Sequence, residues 1–187
     1  MLRIKDIEFE VDRKRSNLSA YIPQQPQDPP ERLCWSVEIN CVEKEYEKGF
    51  WTPMLYVNDL NIDVRDWKQV EGVTIDKDDE DVAAYLYVLE HEPTRNNLIR
   101  FASRIGNVFT VEWTCLADAY WDDDYSSDLP LQLQSQVLFD GVHISWVEAD
   151  QAGVALAKEM VARYLDLKHL EEPDVRGPHH IVFRPRW

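Results

Sequence analysis

The chain is short of the residues that mark several common classes of protein. Only three cysteines occur among 187 residues, and no two of them form a Cys-x-x-Cys pair, which argues against a zinc ribbon or a thioredoxin-like dithiol. Six scattered glycines provide no glycine-rich phosphate loop, and neither Gly-x-Ser-x-Gly nor His-Glu-x-x-His occurs. The sequence therefore gives no support to the enzyme classes that such local motifs identify.

Long apolar runs are also missing. None approaches the roughly 20 residues that a membrane-spanning helix needs. Residues 1–12 alternate charged and apolar side chains and lack the continuous apolar region of a signal peptide. Together with few cysteines, which we expect to be reduced thiols, these features predict a soluble protein in the cytoplasm.

Basic residues are scarce relative to acidic ones. Lysine and arginine total 20 against 35 aspartates and glutamates, giving a formal net charge of −15. Such a field repels nucleic acids and anionic membranes, and it attracts cations and basic proteins. Hydrophobic residues still make up 44% of the chain, so the composition predicts a folded protein, and the length favours one domain over residues 1–187.

Period-two alternation of apolar and polar residues dominates the chain and predicts about eight strands. The pattern is clear in Ile7–Val11, in Leu33–Cys41 and in Val108–Cys115, where alternate side chains would face a core. Gly106-Asn107 and Asp140-Gly141 each stand between two such segments, and both pairs are typical of β-hairpin turns.

One helix is predicted near the C-terminus. Apolar residues recur at helical spacing over residues 151–170, Asp150 suits the N-cap, and Pro173 prevents continuation. Residues 16–32, which are rich in proline, are predicted to form a long loop. The fold class expected is mainly β (α+β): an antiparallel β-sandwich or a strongly curved sheet, with the C-terminal amphipathic helix packed on it.

Three consecutive carboxylates enclosed by three aromatic rings form the most distinctive local feature. Such carboxylates repel one another and need solvent or a cationic partner, whereas large rings are common anchors of protein interfaces. The run follows the strand that ends near Cys115 and precedes the one that begins near Leu131, so we expect it in a loop or strand exit. It consists of Tyr120, Trp121, Asp122, Asp123, Asp124 and Tyr125.

A second acidic run covers residues 76–81. Acidic loops can bind calcium, but this run lacks the glycine and the closing glutamate of an EF-hand loop, because its sixth and twelfth positions are Asp81 and Tyr87. We therefore predict no metal site and no cofactor. The run is interpreted as auxiliary charge beside the first one, and its candidate partner-binding residues are Asp76, Asp78, Asp79 and Glu80.

Seven tryptophans leave a second interpretation open. Three of them, Trp35, Trp113 and Trp146, fall on the inward phase of predicted strands. The others lie in or near predicted loops or at the end of the chain, where exposed rings can stack on sugars. These four are Trp51, Trp67, Trp121 and Trp187.

The main functional hypothesis is an acidic, non-enzymatic protein-interaction module that binds a basic protein. Inhibitor or immunity-type proteins that neutralise nucleic-acid-cleaving toxins are an example, because such a partner displays cations where it holds phosphates. The alternatives are a β-sandwich that binds carbohydrate or another small ligand through its loop tryptophans, and an enzyme that assembles carboxylates from distant positions. The sequence does not indicate an oligomeric state.

Overall fold

A computed structural model describes residues 1–23, 32–46, 49–77, 83–121 and 124–186. Within these residues the chain forms short and long β-strands, one α-helix, and two short 3-10 turns at Trp67–Val70 and Leu167–His169. The strands and the helix are β1 (Leu2–Ile4), β2 (Ile7–Phe9), β3 (Asn17–Tyr21), β4 (Cys34–Asn40), β5 (Lys44–Tyr46), β6 (Gly49–Trp51), β7 (Met54–Leu60), β8 (Thr74–Lys77), β9 (Ala84–Tyr87), β10 (His91–Ile105), β11 (Val108–Trp121), β12 (Asp124–Ile144), α1 (Gln151–Tyr164), β13 (Asp174–Gly177) and β14 (His180–Phe183).

Seven strands close into a ring. Their order is β11-β10-β9-β7-β4-β3-β12, and β12 pairs again with β11. Neighbours in the ring are antiparallel except β3 and β12, which run parallel. The prediction of a mainly β fold with one helix near the C-terminus is confirmed. The strong curvature takes the form of a closed barrel with additional strands at its edges, and not of two stacked sheets.

Part of the predicted proline-rich loop is a strand of the ring. Residues 17–21 form β3 and pair with both β4 and β12, so the loop assignment for residues 16–32 is wrong there. Leu18 and Ala20 are fully buried, while Ser19 between them is half-buried and shares a hydrogen bond with Ser36 (Oγ to Oγ, 2.7 Å). The strand is short and contains small residues, which weakens its alternation signal. Residues 24–31 lie outside the described residues.

The predicted hairpin turn at Asp140-Gly141 is also wrong, because β12 continues through it. Gly141 has a φ of +125°, and a β-carbon there would lie 2.4 Å from the carbonyl oxygen of Phe183. Glycine therefore lets β14 approach the end of β12. By contrast, the turn predicted at Gly106-Asn107 is confirmed, since it joins β10 to β11.

The helix is shorter than predicted. It ends at Tyr164, and Leu165 is already extended, so residues 165–170 do not continue it. The side chain of Asp150 caps the first turn by accepting a hydrogen bond from the amide of Gly153 (2.7 Å). The guanidinium of Arg65 donates to the carbonyls of Ala162 and Arg163 at the opposite end. A cation at the C-terminal end complements the helix dipole. It also donates hydrogen bonds to carbonyls that would otherwise accept from the amides of a further helical turn.

Aromatic rings fill one part of the core. Trp67 is 1% exposed and stacks on Phe139 (ring centroids 5.4 Å apart), which also contacts Trp35 (5.5 Å). Cys34, Cys41 and Cys115 are free and buried. Burial raises the pKa of the Cys41 and Cys115 thiols to about 12, so both are protonated at neutral pH.

Candidate functional site

The described residues of the first acidic run belong to the paired ends of a long hairpin. β11 and β12 remain paired through Tyr120 opposite Tyr125 and through Trp121 opposite Asp124. Both strands are thus longer than predicted. Asp122 and Asp123 lie outside the described residues. We call residues 118–128 the acidic hairpin.

Arg95 of β10 ties the base of the acidic hairpin to the barrel. Its Nη2 lies 2.7 Å from Oδ1 of Asp118 on β11 and 2.7 Å from Oδ1 of Asp128 on β12. Oδ1 of Asp118 also accepts the amide of Asp128 (2.9 Å). One guanidinium therefore fixes both strands of the hairpin, and hydrogen bonds to Asp118 first and Asp128 second raise the pKa of Arg95 further. We call these three residues the Arg95 clamp.

Both strands beside the clamp are irregular. The register of β10 against β11 shifts between Arg95 and Leu98, and Asn96 adopts a φ of +54°. The register of β11 against β12 shifts between Ala117 and Ala119. Such bulges bend a strand and redirect side chains, and they are frequent at functional positions.

The bulge in β10 turns a polar side chain into the core, where both its oxygen and its nitrogen have hydrogen-bond partners. Asn97 is 4% exposed, and its Oδ1 accepts from Thr94 (2.8 Å) and from the indole of Trp113 (3.0 Å). Its amide nitrogen donates to the carbonyl of Thr94 (3.2 Å). This network holds the bulge in place, because breaking it would leave buried polar atoms without partners.

The second acidic run begins in β8, which pairs with the other edge of β10. Lys77 of β8 lies opposite Asn97, and Tyr85 of β9 lies opposite Pro93. Both strands therefore pair with the edge of β10 that is opposite to β11.

The structure thus places the beginning of the second run on β8, and the described residues of the first run on β11 and β12. Both β8 and β11 pair with β10. Asp76 is exposed on β8, opposite Leu98. Asp78, Asp79 and Glu80 lie outside the described residues. In the part of the chain that the structure describes, no three histidine, cysteine, aspartate or glutamate side chains are grouped to hold a metal ion.

Two of the four tryptophans considered for sugar binding belong to the core. Trp51 is 7% exposed and donates to the carbonyl of Tyr46 (3.1 Å), and Trp67 is enclosed by the core aromatic rings. Their loop positions did not predict this burial. The side chain of Trp121 and all of Trp187 lie outside the described residues.

An aromatic cluster on the outer face of the barrel was missed by the sequence analysis. It consists of Tyr56, Tyr85, Tyr87 and His91, and we call it the tyrosine platform. The rings of Tyr56 and Tyr85 stack with centroids 5.3 Å apart, and those of Tyr87 and His91 lie 4.8 Å apart. The alternation of Tyr85 and Tyr87 with buried Ala84 and Leu86 was the available signal.

A histidine pair was also missed. Nδ1 of His143 on β12 lies 3.1 Å from Nε2 of His180 on β14, and the rings stack with centroids 5.4 Å apart. Nε2 of His143 lies 3.3 Å from Oδ2 of Asp140, although it makes no well-aligned hydrogen bond to any residue that the structure describes. The neighbouring His143 ring lowers the pKa of Asp140. Desolvation first, and then the charges of His143 and Arg176, lower the pKa of His180, while Asp140 opposes them.

This histidine pair predicts a pH dependence of stability. Because the pKa of His180 is lowered below its ordinary 6.5, the unfolded chain binds more protons as the pH falls through that value. The free energy of unfolding should therefore decrease as the pH falls from roughly 7.5 to 5.5. Chemical denaturation at these two pH values should show a smaller decrease in the free energy of unfolding for His180→Gln than for the wild type. If the free energy of unfolding decreased equally in the wild type and in His180→Gln, the pH dependence would come from other groups.

Comparisons with known proteins do not identify the chain: no family model, no curated protein and no solved structure matches it. Among the described residues, no helix is both long enough and apolar enough to cross a membrane.

Proposed function

We propose that the protein is a non-enzymatic, acidic interaction module that binds a basic partner protein through the acidic hairpin. The observation that supports this most directly is the Arg95 clamp. It joins β10, β11 and β12 at the base of the hairpin by two contacts of 2.7 Å. A contact surface on a fixed hairpin loses less conformational entropy on binding than one on a free loop.

The charge of the molecule provides the first step of binding. A net charge of −15 attracts a basic protein over long range and accelerates its association at low ionic strength. The second acidic run begins at exposed Asp76 and adds to the field on the other side of β10.

The hairpin provides the second step. Asp122, Asp123 and Asp124 pair with cations of the partner, while Tyr120, Trp121 and Tyr125 supply the ring area that is typical of interface anchors. Proteins that cleave or bind nucleic acids display such cations, so an inhibitor or immunity-type role suits this surface. A reducing compartment such as the cytoplasm suits the three buried free thiols.

Affinity capture from the native cell tests this proposal. The wild type is compared with the triple variant Asp122→Asn, Asp123→Asn, Asp124→Asn at low and at moderate salt. A control variant loses the same three charges elsewhere through Asp63→Asn, Glu148→Gln and Glu171→Gln, three exposed positions outside the hairpin.

We expect a basic protein to be retained by the wild type and the control at low salt and released at moderate salt. The hairpin triple variant should retain little of it. If the hairpin variant retained the same protein in the same amount, the proposed site would be wrong. If no basic protein were retained by any of the three, the proposed function would be wrong.

A further inference from the structure

The tyrosine platform lies on the outward face of three neighbouring strands. Tyr56 on β7 is opposite Tyr85 on β9, and Tyr87 on β9 is opposite His91 on β10. The hydroxyl of Tyr56 lies 3.1 Å from Nδ1 of His91, and the two rings meet edge to face. Direct contacts therefore link the rings of all three strands.

These rings are not needed to fill the core. Ala84 and Leu86 of β9 already face inward and are 2% and 0% exposed. Tyr87 is 36% exposed, and Leu89 in the following turn is 50% exposed. Burial raises the pKa of Tyr56, with a smaller contribution from Tyr85, so its hydroxyl stays neutral at physiological pH. The result is a partly exposed aromatic surface.

The immediate surroundings of this surface are acidic. Glu38 of β4 lies opposite Tyr56, and Glu90 is exposed in the turn before His91. Arg95 is engaged in the clamp. The two described rows of outward residues, Glu38-Tyr56-Tyr85-Pro93 and Asn40-Met54-Tyr87-His91, contain neither lysine nor arginine.

We propose that the tyrosine platform binds arginine side chains of the basic partner. This inference depends on the proposed function and adds the kind of cation that is recognised. A guanidinium stacks on aromatic faces and is less strongly hydrated than an ammonium, so aromatic rings in an acidic field favour arginine over lysine. The acidic field alone attracts both cations.

The platform and the acidic hairpin are close enough to act together. β10 pairs with β9 at one edge and with β11 at the other, and neighbouring strands are about 5 Å apart. A basic segment that contacts the hairpin can therefore extend over β10 and place an arginine on the rings of Tyr85 and Tyr87.

Two model peptides test the inference without the natural partner. Capped deca-arginine and capped deca-lysine are titrated by calorimetry into the wild type and into the variant Tyr85→Thr, Tyr87→Thr, which removes two rings without changing charge. Phe50→Ser serves as the control, because this ring is 67% exposed on β6 and is outside the platform. Thermal unfolding checks that each variant is folded. If the double variant is not folded, the single variant Tyr87→Thr replaces it.

We expect the wild type and the Phe50→Ser control to bind deca-arginine roughly threefold to tenfold more tightly than deca-lysine. The platform variant should lose this preference and keep its affinity for deca-lysine. A preference that persists in the platform variant, or is absent from the wild type, overturns the inference and leaves the proposed function standing. If neither peptide binds the wild type, both the inference and the proposed function are overturned.

Discussion

Gly153→Ala is expected to reduce the free energy of unfolding by about 3 kcal/mol, although alanine is the better helix former. Gly153 lies in the first turn of α1, where a β-carbon would be 1.7 Å from the carbonyl oxygen of Glu148 and 2.8 Å from Cγ1 of Val147. The nearest obstacle is backbone, so no side-chain rotation relieves the clash. Urea denaturation measures the loss.

Gly177→Ala is the matched control for this prediction. Apart from its two chain neighbours, no described residue has an atom within 4 Å of the β-carbon position at Gly177 in β13, so the change should alter stability by less than about 0.5 kcal/mol. If Gly153→Ala were as stable as the wild type, the close approach of the helix to residues 147–148 would be incorrect.

Arg95→Met is expected to release the acidic hairpin from the barrel. It removes the ion pairs of the guanidinium with Asp118 and with Asp128. Arg95 is 41% exposed and Asp128 is 67% exposed, so solvent screening limits the global loss of stability to about 1–2 kcal/mol. Hydrogen exchange of the amides of residues 119–121 and 124–126 should accelerate roughly tenfold.

Arg95→Lys separates geometry from charge. An ammonium keeps the charge but lacks the second guanidinium nitrogen, Nη1, which lies 3.4 Å from Oδ2 of Asp118 while Nη2 contacts both carboxylates. If the clamp acts by geometry, the lysine variant should show hairpin exchange close to that of the methionine variant. Wild-type exchange rates in both variants would show that the hairpin does not depend on the clamp.

Arg95→Met should affect the two steps of partner binding differently. Arg95→Met makes the surface more negative by one charge, so the association rate should not decrease. The dissociation rate should increase, because a loosened hairpin must be ordered again on binding.

The interior of the barrel is largely predictable from local sequence. Strict alternation assigned Phe109, Val111 and Trp113 to the core, and all three are fully buried. The same rule fails at Asn97, a polar residue that a bulge turns inward and that Thr94 and Trp113 satisfy. A bulge shifts the period by one residue, which no pattern of strict alternation can represent.

The position of the acidic hairpin was partly predictable from the sequence. Ala117 and Ala119 continue the alternation beyond Cys115 and are 0% and 1% exposed, so they signalled a longer β11. The contacts of Arg95 could not be predicted from the sequence, because they join residues that are 23 and 33 positions apart. The strand register that brings these residues together is defined only in the folded sheet. The tyrosine platform likewise depends on which strands become neighbours.

The association rate of the captured basic partner tests the central claim most directly. Stopped-flow mixing at about 20 and 200 mM salt should show a wild-type rate that falls at least roughly tenfold with added salt. At low salt, the triple variant of Asp122, Asp123 and Asp124 should associate several times more slowly than the charge-matched control. Equal rates and equal affinities for the wild type and the triple variant would contradict binding through the acidic hairpin.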